Sequence, residues 1–283
     1  MVGGRARPVP AVLISIVTVN LNDAAGLRAT AESVLAQRYR TRQWLVIDGG
    51  STDGSRDVIA AFAAHIDHWS SAPDRGVYDA MNQGLRRARG RYVIFMNAGD
   101  RFAEPAALGR IATALGAAPA ADLLLGGTEL ELPSGRRIYR PPRAAVAWLR
   151  FGPPAYHQAT VIRRAAHLLV PYDLRLRVSA DYGAVAALLM RGARAVCLDR
   201  PLAIRRCDPD SLSERETRVR LADFVRVQRE TLAKGWPEIS LNLGRQLLVF
   251  LAYRALAGHD ARPSTEKMRA DIKQIIQGDK YQY

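Results

Sequence analysis

The 283-residue chain is poor in cysteine, in lysine and in long apolar runs, and each shortage removes a class of protein. Its two cysteines, Cys197 and Cys207, lack CxxC spacing, so neither a disulfide framework nor a structural zinc site is encoded. That usage fits a reducing compartment. The longest apolar run near the start, Ala11–Val19, is too short to span a bilayer. It follows Arg5 and Arg7 and precedes Ala24, Ala25 and Gly26, the outline of a secretory signal. Its β-branched residues, broken by Ser15 and Thr18, fit a buried strand better. There is no GxGxxG after this run and no GxxxxGK[ST] anywhere, which argues against a dinucleotide dehydrogenase and a P-loop nucleotidase.

What the chain has instead is arginine. Lys and Arg number 41 against 27 acids, a net charge of +14, and no lysine precedes Lys234. The excess is spread along the chain and forms no basic tail. It suits an anionic partner, whether a phosphate-bearing molecule or an acidic membrane face, and equally a solvated arginine-rich surface. Nucleic acid is not expected, because RNA-stacking motifs, helix-turn-helix cues and zinc ligands are missing. Hydrophobic residues at 48% and charged residues at 24% are ordinary globular material.

The first hundred residues alternate strand and helix. Val12–Val19 and Trp44–Ile47 read as buried strands, as does Tyr92–Met96, with helices over about 24–37, 55–64 and 77–89. Asn20, Asn22 and Asp23 supply turn and N-cap chemistry before the first helix. This rhythm predicts an α/β domain with a largely parallel sheet, whose ligands sit beyond the carboxyl ends of the strands. Further on, Asp122–Leu125, Arg137–Tyr139, Tyr156–Ile162 and Ala195–Leu198 read as strands, the third carrying His157 and Gln158. A helix is expected over about 181–191, and helix alone from about Glu214. The stretch Ile239–Leu256 is apolar almost all round, which fits packing on the domain, a dimer contact or an interfacial membrane helix.

Carboxylates follow the strands: Asp48 after the second, Asp100 after the Tyr92–Met96 strand. Without a glycine cradle a diphosphate needs a divalent cation, and a hard cation takes one or two carboxylates plus phosphate oxygens. Asp100 in Asn97-Ala98-Gly99-Asp100 suits that role; a helix-capping Asp is the other reading of the position.

Four segments resemble family 2 glycosyltransferases of the GT-A fold. They are Ser15-Ile16-Val17-Thr18-Val19-Asn20, Val46-Ile47-Asp48-Gly49-Gly50-Ser51-Thr52-Asp53-Gly54-Ser55, Asp74-Arg75-Gly76-Val77-Tyr78-Asp79-Ala80-Met81-Asn82-Gln83-Gly84 and Phe95-Met96-Asn97-Ala98-Gly99-Asp100-Arg101-Phe102. The last two are similar to the branch with colanic-acid-type polysaccharide glycosyltransferases. The resemblance covers about 12–205. It implies a GT-A-like, mostly parallel sheet flanked by helices over about 1–210, with a helical C-terminal extension over 211–283. The implied reaction is inverting transfer from a nucleotide sugar, UDP-linked by preference, to a glycan or lipid-linked glycan, with Mg²⁺ or Mn²⁺.

The resemblance also implies roles. Asp48 binds the base, and the backbone of Thr18, Val19 and Asn20 flanks it. Arg75 lies near the diphosphate or base, Asp79, Asn82, Asn97 and Gly99 near the donor, and Asp100 holds the metal. The family's adjacent acid pair appears here as Gly99-Asp100, and the second acid common after Asp48 is Gly49. Ser179-Ala180-Asp181-Tyr182 is similar to the family's base motif: a sugar hydroxyl needs a carboxylate to take its proton as the new bond forms. A helix N-terminus favours an ionised Asp181 there, and also a simple cap. His157-Gln158 resembles the family's element near acceptor or metal. The expected setting is the cytoplasm, peripherally on the inner face of the cell membrane. The Gly49 and Gly99 departures leave a catalytically silent nucleotide-binding scaffold as the alternative, and the net charge of +14 leaves a basic nucleic-acid-binding protein as a more distant one.

Overall fold

The computed structural model describes residues 14–143, 146–207, 216–235, 238–239 and 241–244. The β-branched run expected first forms β1 (Ile14–Asn20), buried along its whole length. It pairs in parallel with β2 (Arg42–Asp48) and β4 (Tyr92–Phe95), and β2 pairs in parallel with the edge strand β3 (His68–Ser71). Helices α1 (Ala24–Leu35), α2 (Ser55–Phe62) and α3 (Val77–Arg87) make the crossovers. The rest of the sheet is mixed. β8 (Thr160–Arg163) runs antiparallel to β4 and to β6 (Leu123–Glu131), and β9 (Ala195–Arg206) runs parallel to β6. β5 (Arg101–Phe102) pairs with β9, and β7 (Arg137–Arg140) with β6, giving the order β3-β2-β1-β4-β8-β6-β9-β5 with β7 beside β6.

Side-chain alternation along the central strands builds a core on each face. Val17, Val19, Leu45 and Ile47 point toward α3 and α6 (Ala180–Met190). Ile14, Ile16, Trp44 and Val46 point toward α1 and α4 (Ala107–Ala117). The first face is tightest at Gly84 of α3, where a β-carbon would stand 2.3 Å from Val17 Cγ1. α7 (Thr217–Arg226) adds Leu221, Phe224 and Val225 to the core that α6 shares.

Three readings change. The expected strand Tyr156–Ile162 begins only at Thr160, because residues 157–159 form a 3₁₀ turn in which the Ala159 N–H and the Thr160 hydroxyl donate to Tyr156 O. β9 continues past Leu198 through Pro201, which sits where the β6–β9 register shifts, the place a sheet tolerates proline. β3, β5, α4 and the short helix α5 (Arg164–Leu169) are additional to the expected elements. The apolar stretch 239–257 lies beyond residue 244, outside the described residues, for most of its length. Among the described residues no helix is long and apolar enough to cross a membrane.

Candidate active site

The parallel register places Asn20 beside Asp48 and Asp48 beside Ser71, at the carboxyl ends of β1, β2 and β3. Asp48 is fully buried, and its carboxylate accepts from Asn20 Nδ2 (2.8 Å), Ser71 Oγ (2.6 Å), Ser51 Oγ and the N–H groups of Gly50 and Ser51. Burial raises its pKa, and these donors more than reverse that, leaving it below the usual carboxylate value. Asp48 therefore organises the loop from within. Thr18 and Val19 are likewise interior: the Thr18 hydroxyl accepts from Trp44 Nε1 (3.1 Å), and Val19 O accepts from the Ala98 N–H (3.0 Å). Of that trio only Asn20 reaches the strand end.

The carboxylate at this mouth comes from elsewhere. A β-carbon on Gly49 would lie 2.9 Å from Asp74 Oδ2, so Asp74, on the loop before α3, occupies the ground of the missing second acid. Burial raises its pKa, the Gly76 N–H opposes that, and the charges of Asp79 and Asp48 add to the rise. Arg75 pairs with Asp79 (3.1 Å) four residues on, and this lowers the Asp79 pKa. Asn82 faces the other way: its amide donates to Tyr172 O (2.9 Å) and accepts from the Tyr172 N–H (3.0 Å), tying α3 to the loop before α6. It is scaffold in this structure.

Residues 97–100 follow β4 as a tight turn. Gly99 has φ +89°, a conformation that favours glycine, and Thr30 of α1 pins the turn, its hydroxyl accepting from the Gly99 N–H (3.1 Å) and lying 2.7 Å from Asp100 O. A β-carbon on Gly99 would meet the Arg206 guanidinium at 3.2 Å, and Arg206 in turn binds Asp23 (2.8 Å) at the start of α1. A cation from the end of β9 thus fills the place of the first member of that adjacent acid pair.

The three groups assigned to chemistry converge although they stand far apart in sequence. His157 Nε2 is 3.6 Å from Asp100 Oδ2, and His157 Nδ1 is 3.5 Å from Asp181 Oδ2. The 3₁₀ turn that replaces the expected strand start carries the imidazole into this position. Burial disfavours the imidazolium, yet the two carboxylates raise the His157 pKa to about 9. For Asp181 burial raises the pKa, and His157, the Tyr182 N–H and the Tyr78 hydroxyl bring it below the usual value. Tyr78 is buried with its hydroxyl 2.7 Å from Val178 O and 3.1 Å from Asp181 Oδ1. Its pKa is driven far up by burial and by Asp181, so it stays a neutral donor. Beside His157 and Asp181 is a cavity of about 10 Å³ lined also by Thr160, Ile162, Tyr172 and Val185, the size of one water.

Several buried polar atoms here have no hydrogen-bond partner: Asn20 Oδ1 and Asn97 Oδ1 at the strand ends, and His157 Nε2 and both amide atoms of Gln158 on the 157–159 turn. Each such atom costs about 1–3 kcal/mol unless water or a ligand completes it. Asp100 Oδ2 and the unpartnered His157 Nε2 fit a divalent cation that takes its other ligands from phosphate oxygens and water. Among the described residues no group of three or more His, Cys, Asp or Glu forms a cage, so any such cation is shared with the bound ligand. Arg163 is held by Asp122 (2.8 Å), away from the mouth, and Arg205 lies over the Tyr156 ring.

The α/β sheet thus gathers acids, amides and an arginine at its strand ends, where sheets of this kind bind their ligands. Glycosyl transferase family 2 matches over residues 15–164, and the chain belongs to that family. It is 33% identical over 178 residues to the PGL/p-HBAD biosynthesis glycosyltransferase of Mycobacterium tuberculosis, covering 61% of this chain and 68% of that one. It is 41% identical over 112 residues to an uncharacterized glycosyltransferase of the same organism, 39% of this chain and 43% of the other. The chain thus spans less than half the length of that second relative. Similar solved folds include S. aureus TarS 1-349 with UDP-GlcNAc (TM-score 0.67, 15% identity, 93% of this chain and 81% of that one). Another is the mannosyltransferase PcManGT from Pyrobaculum calidifontis with GDP-Man and Mn²⁺ (TM-score 0.63, 16% identity, 94% and 84%). The expected GT-A fold and the family are thereby established.

Proposed function

We propose that this family 2 glycosyltransferase moves a sugar, with inversion, from a nucleotide sugar to a hydroxyl of a glycan or lipid-linked glycan in surface polysaccharide assembly. The donor is UDP-linked by preference. The observation that carries the reading is the line Asp100–His157–Asp181, which joins the strand end that would face a diphosphate to a carboxylate at a helix N-terminus.

The acceptor oxygen attacks the anomeric carbon as its proton passes to Asp181, and the bond from that carbon to the diphosphate oxygen breaks. Inversion requires the base and the leaving group on opposite sides of the sugar. Tyr78 and the Tyr182 N–H hold one Asp181 oxygen, and His157 faces the other. A divalent cation held by Asp100 and His157 Nε2 would supply neutralisation of the departing diphosphate. His157 would then be neutral with its proton on Nδ1, toward Asp181, so one ring couples both ends of the site. In this reading Asp74 and Asn20 would contact the base, and Arg206 would contact the ribose and diphosphate.

The test is calorimetric titration of UDP, GDP and dTDP, with and without Mn²⁺, into the wild type and Asp100→Ala. Metal-dependent binding of one nucleotide, lost in the variant, is expected. No binding of any nucleotide under either condition sinks the assignment.

A further inference from the structure

Between Pro133 and Tyr172 the chain has seven arginines and no acidic residue or lysine. Two of the seven are neutralised nearby, Arg137 by Glu129 and Glu131, and Arg163 by Asp122. Within the same tract, residues 146–154 form an excursion whose far end returns to Arg143, the Arg143 N–H donating to Pro154 O (2.8 Å). Its outer side carries Val146 at 50% exposure and Trp148 at 38%. The Arg143 guanidinium lies 4.2 Å over the Trp148 ring, the Arg150 guanidinium 5.0 Å over the Phe151 ring, and the two rings meet edge on at 5.2 Å. Neither Arg143 nor Arg150 has a carboxylate partner among the described residues.

We infer that this excursion seats the protein on an anionic lipid surface. Three features select that occupant. The charge is of one sign across the whole tract, complementary to anionic headgroups. An exposed aliphatic, with an indole and a phenyl ring that each lie under an arginine, gives the apolar body and charged rim that an interface between headgroup and acyl chain accommodates. The ring faces that a nucleobase would stack on are already covered by guanidinium groups, which disfavours single-stranded nucleic acid. The inner side is fixed: Leu149 is buried, and its carbonyl accepts from the Tyr182 hydroxyl and from Gln228 Nε2 (3.2 Å). Tyr182 follows Asp181, so the lipid-facing loop is bolted to the helix that carries the proposed base. A lipid-borne acceptor would then arrive next to Asp181; that step alone rests on the function proposed above.

The test is sedimentation of the full chain with vesicles of phosphatidylcholine alone or mixed with phosphatidylglycerol. Wild type, Arg143→Gln, Arg150→Gln and the double variant are compared. At about fivefold per arginine near an anionic surface, the double variant loses about thirtyfold in partitioning, and neutral vesicles capture none of the four. Brominated acyl chains should quench wild-type emission more strongly than that of Trp148→Phe. Thermal melts and UDP titration in the same preparations report folding and the donor site, so loss of nucleotide binding strikes the proposed reaction and leaves this inference standing. Equal sedimentation of the double variant and wild type overturns it. So do quenching that ignores Trp148→Phe, absence of vesicle binding, and tighter binding to a short nucleic acid than to anionic vesicles.

Discussion

His167 gives the sharpest quantitative test of the packing behind the site. It is fully buried on α5 with the edges of its ring contacts at Phe95 and Tyr172, centroids 5.7 and 4.7 Å away. Nδ1 lies 2.9 Å from Val170 O, which can only accept, so the neutral ring carries its proton there, and Nε2 has no partner. Burial lowers its pKa from 6.5 to about 4. The unfolded chain therefore takes a proton first as the pH falls, and stability drains away from about pH 6.5 until the folded ring titrates near 4. The shift corresponds to about 3 kcal/mol in full, and to about 2 kcal/mol between pH 7 and pH 5. His167→Phe removes the titration and forfeits one hydrogen bond, about 1 kcal/mol at every pH. Urea unfolding of both proteins at pH 7 and pH 5 reads the difference, since every other group contributes equally to the pair. If wild type and variant lose the same stability over that interval, the ring is not buried neutral and the reasoning fails.

The opposite sign holds for His157: its raised pKa contributes stability below about pH 6.5 that is lost as pH climbs through about 9, so His157→Gln should flatten the alkaline limb of the same urea series. Asp181→Asn should lower transfer by about 10²–10⁴ while donor affinity by calorimetry stays near wild type. Asp74→Asn should weaken nucleotide binding about tenfold or more without loss of thermal stability, because it also relieves repulsion from Asp48 and Asp79. Gly84→Ala should destabilise by about 1–3 kcal/mol, read in a thermal melt, because Val17 cannot clear the added methyl without moving β1.

The legible part of the fold is the part that rests on local pattern. β1, β2 and β4 are continuous apolar runs, and the helices between them begin at polar turn residues such as Asp23, whose side chain accepts from the Gly26 N–H. β3 escapes that reading because His68-Trp69-Ser70-Ser71 is an edge strand with Trp69 exposed, so burial leaves no period-two signal in it. The turn at 157–159 and the bulge at Pro201 are set by tertiary pairing, and sequence gives no local cue for either. The motifs located Asp48, Asp100, His157 and Asp181 but could not give their orientation. Whether Asp48 faces a ligand or the loop depends on Ser71, which the edge strand brings alongside. That the imidazole lies between two carboxylates follows only once β4, β8 and α6 are packed.

The two glycines that break the family pattern are the places where sequence was most misleading about charge. Read along the chain, Gly49 and Gly99 each subtract an acid from the donor side, and the natural conclusion is a weakened or silent site. In space neither position is vacant. Asp74 restores a carboxylate at Gly49 from a different loop, and Arg206 puts a guanidinium at Gly99, anchored by Asp23. Replacing one acid by an arginine moves the local charge by two units toward positive, within reach of Asp100. Under the proposed reaction, a diphosphate near that turn would meet this fixed cation as well as any metal held by Asp100 and His157, so the burden of neutralising it would be divided. In that reading the missing acid would change the means by which the leaving group is stabilised, and by itself it is no argument that the site is silent.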